Sequence, residues 1–173
     1  KGAYFKGFPE ERTDDSYVAN WFREHSQRLT NIMEVRIAIE TMTIRLAIQR
    51  MSDRQLEQLR VLHELFVQSA RAKNYVKMAF YDEELHHKIA EASGNELLIR
   101  MEKIIAECIM DYRMQTYQLP DNAVHAITTH DALLSAFEKR NAEAGVALMT
   151  EHLENSLEDM QAITQEKDSG TPL

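Results

Sequence analysis

Asp82 and His86 stand four residues apart, a spacing that stacks both side chains on one face of a helix. His130 has Ile127, Leu133 and Leu134 at neighbouring helical positions, and His152 has Leu148, Met149 and Leu153. Both imidazoles are therefore expected on the buried side of their helices. A buried imidazole needs a partner. One solution is a shared divalent cation, because three neutral His nitrogens and one carboxylate oxygen suit zinc foremost, and also nickel or manganese. Such a site would keep coordination positions open to water or an anionic ligand. The other solution gives each histidine its own backbone carbonyl or carboxylate. Spacing alone leaves both open, since Asp-x3-His also occurs on solvated helix faces.

The remaining titratable groups offer less. His87 lies roughly 100° round the helix from His86 and points away from the proposed cluster. His25 and His63 sit in polar surroundings and are expected at the surface. His125 opens a helix but is off the face of His130, so it should be exposed, with a cap or a pocket rim as the other uses. Glu83-x-x-His86 and Glu84-x-x-His87 invite a di-iron reading, which needs the motif on a second helix, and no second copy occurs. The sequence contains no His-Glu-x-x-His zinc-protease motif, no phosphate-binding glycine loop and no Gly-x-Ser-x-Gly elbow. Its single cysteine, Cys108, excludes an internal disulfide and a cysteine-based zinc site.

The elements that must position these groups are helices. The 173 residues are 44% hydrophobic and 28% charged, the composition of one globular domain with a sizeable core. A formal net charge of −8 argues against a grip on nucleic acid or an anionic membrane surface. The longest apolar runs fall far short of the roughly 20 residues that span a bilayer. All three prolines lie outside the helical segments, and four of the five glycines lie near the ends or at the Gly94 break, which predicts an all-α fold, an antiparallel bundle of six to seven helices. A short helix is expected over 15–26. A second, over 31–50, places Ile32, Val35, Ile39, Met42, Leu46 and Ala47 at spacings of three and four. Ser52-Asp53-Arg54-Gln55 is a capping box that opens a third helix, ending near 72. A fourth covers 74–93 and ends at Ser93-Gly94-Asn95. A fifth covers 95–117, with Leu98, Met101, Ile104, Ile105, Cys108 and Tyr112 inward. After the loop Gln118–Asn122, a sixth covers 122–139, and Asn141 caps a seventh running to 164. The stretch 165–173 reads as a flexible tail.

Taken in order, Glu34-Val35-Arg36-x3-Glu40, Asp82-x-x-Leu85-His86-x-x-Ile89, Ala92-Ser93-Gly94-Asn95, His130-x5-Ala136 and Met149-x-x-His152-Leu153 form a series. It resembles the C-terminal effector-binding domain, the FCD domain, of the FadR subfamily of GntR transcription regulators, over about residues 14–164. The intervals match that family's metal-binding branch. The resemblance implies that Asp82, His86, His130 and His152 hold a divalent metal inside the bundle. It further implies that a small carboxylate or sugar-acid effector completes the coordination. Arg36 is the first candidate for a second contact to that anion, against a surface ion pair with Glu40, and Arg113 is a weaker one. Residues 1–13, beginning Lys1-Gly2-Ala3-Tyr4-Phe5, look like the remnant of a preceding winged helix-turn-helix domain and linker. By the same resemblance the regulator is a cytoplasmic homodimer, not an enzyme, that meets operator DNA only through that preceding domain. Two other readings stay in view. An open metal could activate water for hydrolysis, though Glu83, Glu84 and Glu151 are the only candidate bases. Alternatively, a purely structural metal could rivet a dimerisation module.

Overall fold

The computed structural model describes residues 29–119 and 121–169. Among these residues the chain forms six helices and no strand: α1 (Leu29–Arg50), α2 (Asp53–Arg71), α3 (Tyr75–Ser93), α4 (Glu96–Thr116), α5 (Asn122–Glu138) and α6 (Ala142–Ser169). The helix expected over 15–26 and the winged-helix remnant lie outside the described residues. Otherwise the expected helices recur with boundaries shifted by a residue or two, except that α6 continues through 165–169, where a tail was expected.

The local signals act as chemistry dictates. Ser52 accepts a hydrogen bond from the backbone N–H of Gln55, and the Gln55 side chain accepts from the Ser52 N–H, closing both halves of the capping box. Asn74 and Asn95 cap α3 and α4 by accepting from Lys77, and from Leu97 and Leu98. The Asn141 side chain accepts from Ala144 at the start of α6. Gly94 ends α3 at φ 63°, a left-handed conformation that costs glycine nothing. The carbonyls left free at helix C-termini are collected by two arginines: Arg140 donates to Ile48 and Met51 at the end of α1, and Arg50 donates to Ser93 at the end of α3. Gly145 permits the close approach of α6 to α1, since a Cβ there would lie 2.2 Å from Ile48 Cδ1.

The packing puts a polar layer between apolar ones. One apolar cluster joins Ile44, Ile48, Leu59, Leu85, Ile89, Leu133, Phe137 and Met149. A second joins Ile32, Met33, Ile105, Ile109 and Met160, and a third joins Phe66, Met78, Ala79, Tyr117 and Ala126. On α1, Arg36 and Glu40 fall between the second cluster and the first. On α3, Asp82 and His86 fall between Ala79 of the third and Ile89 of the first. His130 on α5 lies between Ala126 and Leu133 in the same way, and Arg113 on α4 lies between Ile109 and Tyr117. Each fully buried Ile, Leu, Met or Phe contributes about 1.5–3 kcal/mol, so the flanking layers can offset the cost of burying charge in the middle.

This layering corrects two expected faces. Val35 and Met42, expected in the core, are 37% and 48% exposed. The inward line of α1 is instead Ile32, Met33, Arg36, Glu40, Thr43, Ile44, Ala47 and Ile48. On α4 Ile104 and Ile105 are buried as expected, but the inward line also takes Glu102, Ile109, Arg113 and Thr116, and Leu98, Met101, Cys108 and Tyr112 are only partly buried. Both helices bury ionisable residues, so apolar spacing alone finds only part of the inward face.

Candidate functional site

Three helices converge on one point. Asp82 and His86 from α3, His130 from α5 and His152 from α6 each offer a ligand atom, and these atoms all lie within 4.8 Å of one another. Asp82, His86 and His130 are buried and His152 is partly so. The His86 and His152 rings stack at 5.4 Å and 17°, and His130 leans on both at 6.2 and 5.5 Å. The four residues singled out by spacing are thus brought together.

Their donor atoms are left over. Asp82 Oδ1, His86 Nε2 and both His130 nitrogens are buried without a hydrogen-bond partner. His130 Nε2 and Asp82 Oδ1 approach to 3.2 Å, but the pair is not aligned as a hydrogen bond. An unsatisfied buried polar atom costs about 1–3 kcal/mol, and several aimed at one centre fit a shared cation. The electrostatics agree. Burial, then the neighbouring charges of His86 and His130, push His152 well below the ordinary histidine range. Burial likewise lowers His130. Burial alone would raise Asp82, but Arg113, His130 and His86 together hold its carboxyl well below the usual range. Two neutral imidazoles and an ionised carboxylate are the protonation states a metal requires.

A second set of residues fixes the first. Glu40 Oε2 lies 2.5 Å from His86 Nδ1, which commits the proton to that nitrogen and leaves Nε2 as the bare donor. Glu40 Oε1 in turn accepts from Arg36 Nε at 2.5 Å. The pair of Arg36 with Glu40 therefore exists, but inside the protein rather than on its surface. Arg36 Nη2 remains buried and unpartnered. Arg113, also buried, holds Asp82 Oδ2 at 3.2 Å through Nε and meets Glu83 through Nη1. Sequence reasoning treated Glu40 only as a partner of Arg36. The signal for its role is a glutamate that shares a buried helix face with Arg36, one turn along.

A cavity of about 40 Å³ adjoins the cluster, room for a few waters. Its lining includes Arg36, Asp82, Arg113 and His152, with Asn122, His125, Ala126 and Thr129 of α5 and Asn155, Ser156 and Asp159 of α6. His125 is exposed, as expected, and also stands in the cavity lining. His63 corrects an expectation: it is buried, with Nε2 2.8 Å from Asp131 Oδ1 and its ring 5.8 Å from His130. Asp131, an exposed acid on the adjacent helix, supplies the partner that the polar neighbours of His63 in sequence do not reveal. His87 turns away as expected, to Glu102 at 3.0 Å.

The arrangement is an all-helical bundle with a polar cavity beside this cluster, and comparison with known proteins defines its class. The FCD domain model matches residues 31–155, and the chain belongs to the FCD family, the C-terminal effector-binding domain of GntR-type regulators. It is 24% identical over 157 residues to the HTH-type transcriptional repressor NanR of Cronobacter sakazakii, covering 89% of this chain and 59% of that protein. The chain thus spans about three fifths of the length of this curated relative. Two solved structures share the fold. E. coli McbR/YncC superposes with a TM-score of 0.70 at 17% identity, covering 78% of this chain and 68% of its own. Streptococcus agalactiae GntR gives 0.65 at 19%, covering 86% and 62%. The family places this chain among effector-sensing domains of transcription regulators rather than among enzymes. Among the described residues no helix is long and apolar enough to cross a membrane.

Proposed function

We propose that this domain senses a small organic acid through a divalent metal held by Asp82, His86, His130 and His152. The observation that carries the reading is the set of buried, unpartnered donor atoms converging on one point. The donor set suits zinc first, with nickel and manganese as the other candidates. Bound there, the ion supplies Lewis-acid positions that a carboxylate can fill. Arg36 Nη2, unpartnered in the cavity wall, donates to the same carboxylate. Arg113 stands in that wall too, but its hold on Asp82 and Glu83 makes it chiefly a positioning group.

In the full regulator, operator DNA belongs to a winged helix-turn-helix domain outside this acidic chain. Response requires the acid to bind one arrangement of the homodimer better than the other. Val35 and Met42 on α1, 37% and 48% exposed, support contact between two copies.

The test is thermal denaturation of chelator-treated protein, then with zinc, then with zinc plus hydroxy acids, sugar acids or dicarboxylates. Zinc at about 100 times its Kd should add about 2.7 kcal/mol, and an acid should add more only when zinc is present. Zinc stabilisation with no acid effect would leave the metal structural, and turnover of an ester or amide would favour the hydrolase. The Arg36–Glu40–His86 chain adds a separate expectation. Glu40→Gln should weaken zinc affinity about 10–100-fold by freeing the His86 ring, as read by competition with a chromophoric chelator.

A further inference from the structure

His63 stands outside the four-residue cluster, and the hydrogen-bonding capacity of its ring is only half used. The residue lies on α2 and is 7% exposed. Its Nε2 is 2.8 Å from Asp131 Oδ1 on α5. A carboxylate only accepts hydrogen bonds, so the proton of the neutral ring belongs on Nε2, and Nδ1 carries a lone pair. That Nδ1 is buried and has no hydrogen-bond partner. An unpaired buried acceptor of this kind is uncommon and calls for an explanation.

The complementary group is close by. His130, fully buried, has Nε2 on the side of the cluster, 3.2 Å from Asp82 Oδ1. With Nε2 as the metal donor, the ring proton of His130 must sit on Nδ1, which is likewise buried and unpartnered. Outside the cluster, the rings against His130 are Phe66, at 5.1 Å, and His63, edge-on at 5.8 Å and 76°. Of these two, only His63 offers a lone pair. We infer that His63 is a positioning residue for the metal centre: its Nδ1 accepts the Nδ1 proton of His130, which keeps His130 Nε2 bare and aimed at the cluster. The inference rests on the metal reading above. A small shift of either ring brings the two nitrogens into contact. Donors and acceptors then match along the whole chain from Asp131 through His63 to His130. His86 is held in the same sense by Glu40, directly rather than through a second ring.

Two variants and one spectrum test this. His63→Phe keeps a ring against His130 and removes the acceptor, so zinc affinity, read by competition with a chromophoric chelator, should fall about 10–100-fold. His63→Asn places its amide oxygen near the position of Nδ1 and should recover most of that loss. A role in packing alone predicts the reverse order, because Asn leaves the larger void. In the zinc-loaded wild type near neutral pH, long-range proton–nitrogen NMR should show His63 protonated on Nε2 and His130 protonated on Nδ1. Unchanged zinc affinity in His63→Phe, or weaker binding by the Asn variant than by the Phe variant, would remove His63 from the role and leave the four ligands in place. A His63 ring protonated on Nδ1 would do the same. Should His63→Phe fail to fold, the wild-type spectrum decides alone. A wild-type domain that binds no zinc would sink the metal reading itself, and this inference with it.

Discussion

His152→Ala should strip the domain of its metal. Structural zinc sites contribute about 10–16 kcal/mol of apparent binding energy at neutral pH. Spread over four ligands, that is about 3 kcal/mol each, or about two orders of magnitude in affinity. His152 is the clean choice among the four because it is only partly buried and has no supporting carboxylate, so its loss disturbs the fold least. Replacing His130, by contrast, would open a void against Phe66, whose ring lies 5.1 Å away. Elemental analysis after dialysis should show zinc retained by the wild type and lost by the variant, and the thermal response to any acid effector should vanish with it. Full zinc content in His152→Ala would exclude His152 as a ligand. Retained zinc with a lost acid response would instead place His152 on the effector.

The sequence made the helices legible because their ends carry unambiguous chemistry. Ser52 with Gln55, Gly94, and the asparagines at 74, 95 and 141 stop and start the chain where backbone groups need partners. The four clustered residues were legible through one helical spacing and two apolar neighbourhoods, which place His130 and His152 inward whatever the register. The inward faces of α1 and α4 were legible only in part: Ile32, Ala47, Ile104 and Ile105 are buried as expected, while Val35 and Met42 are not. A helix that buries Arg36 and Glu40, or Glu102 and Arg113, carries its polar residues on the side where apolar periodicity looks for a core. What makes those positions tolerable is pairing across helices, such as Glu40 with His86 and Arg113 with Asp82. Pairing of that kind depends on which helices become neighbours, and a single sequence does not display it. The burial of His63 against Asp131, 68 residues away in sequence on α5, is the same case.

The buried carboxylates carry a second large effect. Glu102 is pushed up from 4.5 to about 9, chiefly by burial and then by the charges of Glu83 and Glu40, which outweigh Arg113 and Arg36. At neutral pH it therefore carries a proton that the unfolded chain would release. The sign follows from linkage. A folded pKa above the unfolded one contributes stability that is complete below pH 4.5 and is lost as pH rises towards 9. The slope is at most about 1.4 kcal/mol per pH unit. Glu102→Gln fixes the neutral form: the amide occupies the same volume and can still donate to His87 Nδ1, which lies 3.0 Å from the carboxylate in the wild type. The variant should match the wild type near pH 5 and exceed it by on the order of 2–4 kcal/mol at pH 8. Urea denaturation of both proteins at the two pH values reads the difference directly, and titrations shared by the two proteins, including those of His130 and His152, cancel from it. Equal gaps at pH 5 and pH 8 would mean that Glu102 is ionised throughout. In that case Arg113 would have to divide its charge among Asp82, Glu83 and Glu102. The opposite result ties the neutrality of Glu102 to the site, because a protonated Glu102 leaves Arg113 committed to Asp82 and Glu83. Asp82 then keeps the ionised, oriented carboxylate that the proposed metal needs.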